Sequence, residues 1–242
     1  MKIAIYGDSF ATGFHVNKHF AWYNILAKKL GGTVFNEQGE EGYGIAWGGR
    51  ATYLSYKNFL KYYKNYDFNI FIAGDPYRHT KEYIWEDRLY YVSNINSIEW
   101  ALERKIINDV DADMLKGWFL SSDINFLKDA QDLFLRDIKN KDSKCLIIPA
   151  QQEYSFTKEF MDKSNMNFGL SQLHGVMLKS MKCPSGFWAN KEPPNKIACH
   201  FTEEVNEWLA NSVYEYITNN KKLELPEHIH HTYDYRYYFE EK

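Results

Sequence analysis

Apolar residues fall along this chain in two patterns: short unbroken runs, and longer stretches with near-helical spacing. Residues 2–6 read Lys-Ile-Ala-Ile-Tyr and stop at Gly7, which predicts a buried strand entering a loop. Residues 68–73 and 145–148 are runs of the same kind, the latter ended by Pro149. Residues 33–36 predict a further strand. Between the runs, residues 20–30 place Phe20, Tyr23, Ile25, Leu26 and Leu30 at near-helical spacing, with Gly31-Gly32 as a stop. Residues 50–64 read as a helix with Tyr53, Leu54, Leu60 and Tyr63 among its anchors. Residues 126–139 read as another, through Phe126, Leu127, Ala130, Phe134 and Ile138. Residues 203–218 carry Val205, Trp208, Leu209, Val213, Tyr216 and Ile217 on one face, which predicts an amphipathic helix. Thr202 suits its N-cap, and Glu203 and Glu204 suit the positive end of its dipole.

The stretch from about 80 to 125 is less regular, rich in aromatics and charges, and reads as a helical insertion or lid. Residues 150–195 read as loops with a short helix near 170–181. No internal repeat is present. The reading is therefore one domain over 1–220 with an insertion at about 80–125, and a charged, Tyr-rich tail or peripheral arm over 221–242. Strands alternating with helices predict an α/β fold: a three-layer α/β/α sandwich around a mostly parallel sheet. Ligands of such sheets bind outside the carboxyl ends of the strands. The loops of interest therefore follow Tyr6, Asn36, Ala73 and Ile148.

Composition narrows the class. A chain of 242 residues, 45% hydrophobic and 25% charged, can bury a substantial core. A net charge of -3 argues against an electrostatic grip on nucleic acid. Aromatics reach 17%, which fits either a tyrosine-rich core and surface or platforms that stack on sugar rings or bases. Cys145, Cys183 and Cys199 are scattered and odd in number, which predicts neither a disulfide framework nor a zinc site. The first residues enter a strand directly, without the features of a secretory leader. No apolar run reaches the roughly 18 residues of a membrane span. The expectation is a soluble protein of the cytoplasm, or of a host cytoplasm or virion.

The chemistry centres on Gly7-Asp8-Ser9. Alone, this common tripeptide also suits a turn or a helix cap. Its position at the end of the first strand exposes a serine hydroxyl at the active edge of the sheet, where backbone N–H groups can stabilise an anion. Near the other end, His200 sits just before the last amphipathic helix. A histidine there can reach back to a first-loop serine and act as the base that a serine nucleophile needs.

This arrangement resembles the SGNH hydrolases, the GDSL-like esterases and lipases, and among them the divergent members of bacteriophages. Their first block matches Gly7-Asp8-Ser9. The glycine of their second block falls on Gly42, with Gly39 as the alternative. Their last block matches His200. The resemblance implies a flavodoxin-like SGNH fold, with Ser9 as nucleophile and His200 as base. It also implies oxyanion donors at Ser9, Gly42 and the third-block asparagine position, with Asp8 bracing the loop. The substrate implied is a small-molecule or glycan O-acyl ester, plausibly an acetyl ester; no metal, organic cofactor, nucleic acid or membrane is implied.

The chain departs from that pattern twice. Asp75, in Ala73-Gly74-Asp75-Pro76, stands where the asparagine amide would donate, and an ionised carboxylate cannot donate. Asp75 is then protonated, turned away, or replaced by Arg78 or another donor. The family aspartate three residues before the histidine is Ile197 here, which leaves Asn195 or a backbone carbonyl to orient His200. These departures support a competing reading: a weak or inactive SGNH-like module that binds glycan or serves as part of a particle.

Other features carry less. His228, His230 and His231 lack the spacing of a compact metal site and read as a solvated tail. An aspartate-nucleophile phosphotransferase would need a second aspartate where Phe10 stands. The glycines of 39–49 match neither phosphate-binding pattern. His15, His19, His79 and His174 could each approach the site from loops, but suit surface or packing roles better.

Overall fold

The computed structural model describes residues 1–8, 11, 18–36, 51–74, 81–85, 88–92, 95–149, 203–221 and 223. Among the described residues four parallel strands form the central sheet: β1 (Lys2–Tyr6), β2 (Thr33–Phe35), β3 (Phe68–Ala73) and β6 (Leu146–Pro149). Their order is β2-β1-β3-β6. Ile3 is opposite Val34 on one side and Phe68 on the other, and Ile72 is opposite Ile148. β1 and β3 are the inner pair, and the chain changes direction of travel across the sheet between them.

Side chains alternate between the two faces along each strand. Ile3, Ile5, Ile70, Ile72, Leu146 and Ile148 pack against α1 (Trp22–Leu30) and α6 (Glu203–Asn219), with Leu223 in the same cluster. Ala4, Tyr6, Phe71, Ala73 and Ile147 pack on the other face against α2 (Thr52–Tyr62) and α5 (Ile124–Lys141). Both faces are covered, and that is why the strands read as unbroken apolar runs rather than as alternating ones. The mixed α/β class and the layered parallel sheet are as expected.

The helices run against the strands. Gly31, left-handed with φ 57°, ends α1 just before β2 begins, and the Thr33 N–H donates to the Met1 carbonyl. The α1 C-terminus is therefore at the amino edge of the sheet, and its first turn is at the carboxyl edge. α6 runs the same way. Tyr216, near its end, lies 6.4 Å from Phe68, the first residue of β3, and Asn206, near its start, accepts the Trp22 N–H at 3.0 Å.

Several expected anchors prove exposed. Tyr53 is 50% and Leu60 37% exposed, whereas Thr52, Leu54, Ser55 and Phe59 are buried. Residues 53 and 60 share the helical period of 52, 55 and 59 but lie one residue round the helix; the sheet selects the second stripe. Phe20 is exposed in a short 3-10 turn (Lys18–Phe20). Phe126 is exposed too; α5 buries Ile138 as expected, together with Gln131 and Leu135.

The expected helical insertion is corrected in its first part. β4 (Lys81–Trp85) and β5 (Arg88–Val92) pair antiparallel as a hairpin, and then α3 (Ile95–Glu103) and α4 (Asp109–Ser121) follow. Val92, Ile98, Ala101, Ile106, Ile107, Ala112 and Leu115 form a small core of their own. Asn108 caps α4 by accepting the Asp111 N–H at 2.8 Å. Among the described residues no helix is long and apolar enough to cross a membrane.

Candidate functional site

β1 leaves the sheet at Gly7, beside Ile72 of β3. Gly7 has φ 147°, and a Cβ there would lie 2.8 Å from both the Ile72 Cβ and its carbonyl oxygen. The position excludes any side chain, for both conformation and space. Asp8 follows and is 1% exposed. Its carboxylate lies over Gly74, the residue just after β3: a Cβ on Gly74 would meet Asp8 Oδ2 at 2.9 Å. The Ala11 N–H donates to the Asp8 carbonyl at 2.9 Å. The loops after β1 and β3 thus interlock at the point where the strand order reverses, the place at which open α/β sheets bind ligands.

Both loops are also held from the α2–α5 layer. Ser55 Oγ donates to the Gly7 carbonyl at 3.2 Å. Gln131 Nε2 donates to the Gly74 carbonyl at 3.4 Å. Gln131 is 3% exposed and Thr52 7%, and Gln131 Oε1 and Thr52 Oγ1 are buried with no hydrogen-bond partner among the described residues. An orphaned buried polar group costs about 1–3 kcal/mol. Sequence reasoning passed over Ser55, Gln131 and Thr52. The available signal was a polar residue in phase with an apolar stripe: Gln131 with Leu135 and Ile138, Thr52 and Ser55 with Phe59.

The remaining carboxyl-edge features come from β2 and α6. Asn36, just after β2, is buried. Asn206 brings the first turn of α6 to the first turn of α1 at this edge.

A second polar network lies toward the amino edge and is structural. Tyr6 Oη donates to Asn69 Oδ1 at 3.4 Å, and Asn69 Nδ2 donates to the Tyr63 carbonyl at 3.0 Å and to Asp142 Oδ2 at 2.8 Å. Lys139 Nζ donates to the Ser143 and Cys145 carbonyls at 2.6 and 2.9 Å, closing the turn into β6. Burial pushes the Tyr6 hydroxyl and the Cys145 thiol well above their ordinary values, and lowers Lys139. The Cys145 thiol is therefore kept protonated and is no nucleophile.

Of the residues singled out from the sequence, the structure describes Asp8, buried against Gly74. Ser9, Gly39, Gly42, Asp75, Arg78, Asn195, Ile197 and His200 lie outside the described residues, as do Thr202, the 170–181 helix and the histidines of the tail. Among the described residues no group of three or more His, Cys, Asp or Glu is placed to hold a metal ion.

No protein-family model matches the chain, and no curated protein matches it significantly. Among solved structures it is similar to a "putative lipolytic protein of G-D-S-L family" from Desulfitobacterium hafniense DCB-2. The two are 10% identical over 88% of this chain and 98% of the other, with a TM-score of 0.39.

Proposed function

We propose that the chain is a serine ester hydrolase of the SGNH type, acting on O-acyl groups such as acetyl esters of carbohydrate. Ser9 is the nucleophile and His200 its base. The observation that carries this reading is the Gly7–Asp8 turn. Gly7 admits no side chain and Asp8 is locked against Gly74 at the switch point of a parallel sheet, and Ser9 follows Asp8 in the sequence. The start of α6 gives further support. Asn206 fixes that helix at the carboxyl edge, and His200 stands six residues earlier, within about 20 Å of extended chain.

In the proposed reaction the His200 imidazole takes the Ser9 hydroxyl proton as Oγ bonds to the ester carbonyl carbon. The Ser9 and Gly42 amides hold the oxyanion. The alcohol leaves with the proton from the imidazole, and an acyl-enzyme remains. Water, deprotonated by His200, then attacks the acyl-enzyme and releases the acid and the free serine. Asp75 is protonated, turned aside or replaced by Arg78 at the third donor position, and Asn195 orients His200 where Ile197 cannot. The chemistry needs no metal or organic cofactor.

The test compares hydrolysis of p-nitrophenyl acetate and its short-chain homologues by wild type and Ser9→Ala. Loss of hydrolysis in the variant supports the reading. Equal rates in both proteins would turn it toward the binding module that Asp75 and Ile197 favour.

A further inference from the structure

We propose that Ser55 and Gln131 are positioning residues of this site, orienting its loops through the Gly7 and Gly74 carbonyls; the activity arm of the test rests on the hydrolase reading above. β1 and β3 flank the switch point, and the carbonyl at the end of each accepts from a side chain in the same helix layer: Ser55 of α2 at 3.2 Å and Gln131 of α5 at 3.4 Å. A trans peptide is planar, with its C=O and the following N–H opposed. Tying the Gly7 carbonyl to α2 therefore aims the Asp8 N–H away from α2 and fixes the peptide plane one residue before Ser9.

Gln131 is a poor residue for core stability. It is 3% exposed, shares a stripe with Leu135 and Ile138, and leaves Oε1 without a partner among the described residues. An apolar side chain of the same shape would remove that loss. What its amide touches is the Gly74 carbonyl, on the residue that carries no side chain so that Asp8 can lie against it. Ser55, 1% exposed, makes the matching contact to the other loop. The pair ties both loops to one rigid layer, and a small shift in such a layer moves the reacting groups by a distance that chemistry detects.

The discriminating variant is Gln131→Met, which keeps length and volume and removes both the donor and the orphaned oxygen. Its melting temperature is expected to stay near that of the wild type, because removing the orphaned oxygen offsets the bond lost to the Gly74 carbonyl. Its kcat on p-nitrophenyl acetate is expected to fall about tenfold with KM unchanged. A merely structural role predicts the reverse, a lower melting temperature with kcat of the folded protein unchanged, and that result overturns the proposal. Amide hydrogen exchange gives a readout that needs no catalysis. In Ser55→Ala the Ala11 N–H, which donates to the Asp8 carbonyl, is expected to exchange at least about tenfold faster, while Ile70 and Ile72 within β3 keep their wild-type rates. If the wild type hydrolyses no ester through Ser9, the hydrolase reading falls and exchange alone decides: unchanged protection at Ala11 in Ser55→Ala overturns the positioning role.

Discussion

The Asp8 carboxylate packs on Gly74 so closely that a Cβ on that glycine would stand 2.9 Å from Oδ2. Asp8 is buried and has a short side chain, so it cannot swing aside as a surface lysine would. Gly74→Ala is expected to destabilise the protein by about 1–3 kcal/mol and, if the proposed hydrolysis through Ser9 holds, to lower its rate, because it displaces Asp8, the residue before Ser9. Urea denaturation and initial rates on p-nitrophenyl acetate check both effects. Wild-type stability in this variant would contradict the interlock of the two loops.

Gly7→Ala meets two obstacles at once, a φ of 147° and a 2.8 Å approach to both backbone and side chain of Ile72. Strain and overpacking of this kind each cost on the order of 1–3 kcal/mol. The variant is expected to lose at least about 2 kcal/mol of stability, measured by denaturant unfolding, and to do so whether or not the serine is catalytic.

Tyr56 and Asp137 give a pH-dependent prediction away from the site. Tyr56 Oη donates to Asp137 Oδ2 at 2.7 Å, and Lys141 Nζ donates to the other carboxylate oxygen at 2.9 Å. Burial and the bond to Asp137 push the tyrosine up from 10.0 to about 12. The bonds from Tyr56 and Lys141 hold Asp137 below the usual carboxylate range. The lowered carboxylate contributes stability above its ordinary pKa, lost as pH falls through the folded value. The raised phenol contributes stability below about pH 10, lost as pH rises through about 12. Tyr56→Phe should therefore cost about 1 kcal/mol at neutral pH. The difference from wild type should shrink at both extremes, as followed by urea midpoints across pH. A difference independent of pH would contradict the pairing.

Asn206 supplies the acceptor that α1 lacks locally, because Ala21 at its N-cap has no polar side chain. Asn206→Ala leaves the buried Trp22 N–H without that partner. The expected loss is roughly 1–2 kcal/mol in thermal or urea unfolding, with the far-UV helix signal retained below the transition.

The parallel strands were legible because they are buried on both faces: residues 2–6 and 68–73 can hardly be read otherwise. The helices α5 and α6 were found to within two residues of their ends. The β4–β5 hairpin was missed although Tyr83-Ile84-Trp85 and Leu89-Tyr90-Tyr91-Val92 flank the two residues Glu86-Asp87. That loop has no glycine or asparagine to announce a tight turn. The error at Tyr53 and Leu60 came from helical phase, which a pattern leaves free and the sheet decides. At the site, Gly7 and Asp8 could be singled out by their place after the first strand. Ser55 and Gln131 could not, since their role depends on which carbonyl each meets, and that is set by how α2 and α5 pack on the sheet.

The proposed hydrolysis requires Ser9 to be an activated nucleophile, and covalent trapping measures that directly. A fluorophosphonate probe transfers its phosphonyl group to an activated serine oxygen with loss of fluoride. Intact mass spectrometry and peptide mapping then locate the adduct. One adduct is expected, on Ser9, absent from Ser9→Ala and strongly slowed in His200→Ala. An unlabelled wild type, or equal labelling of wild type and Ser9→Ala, would contradict the proposed hydrolysis.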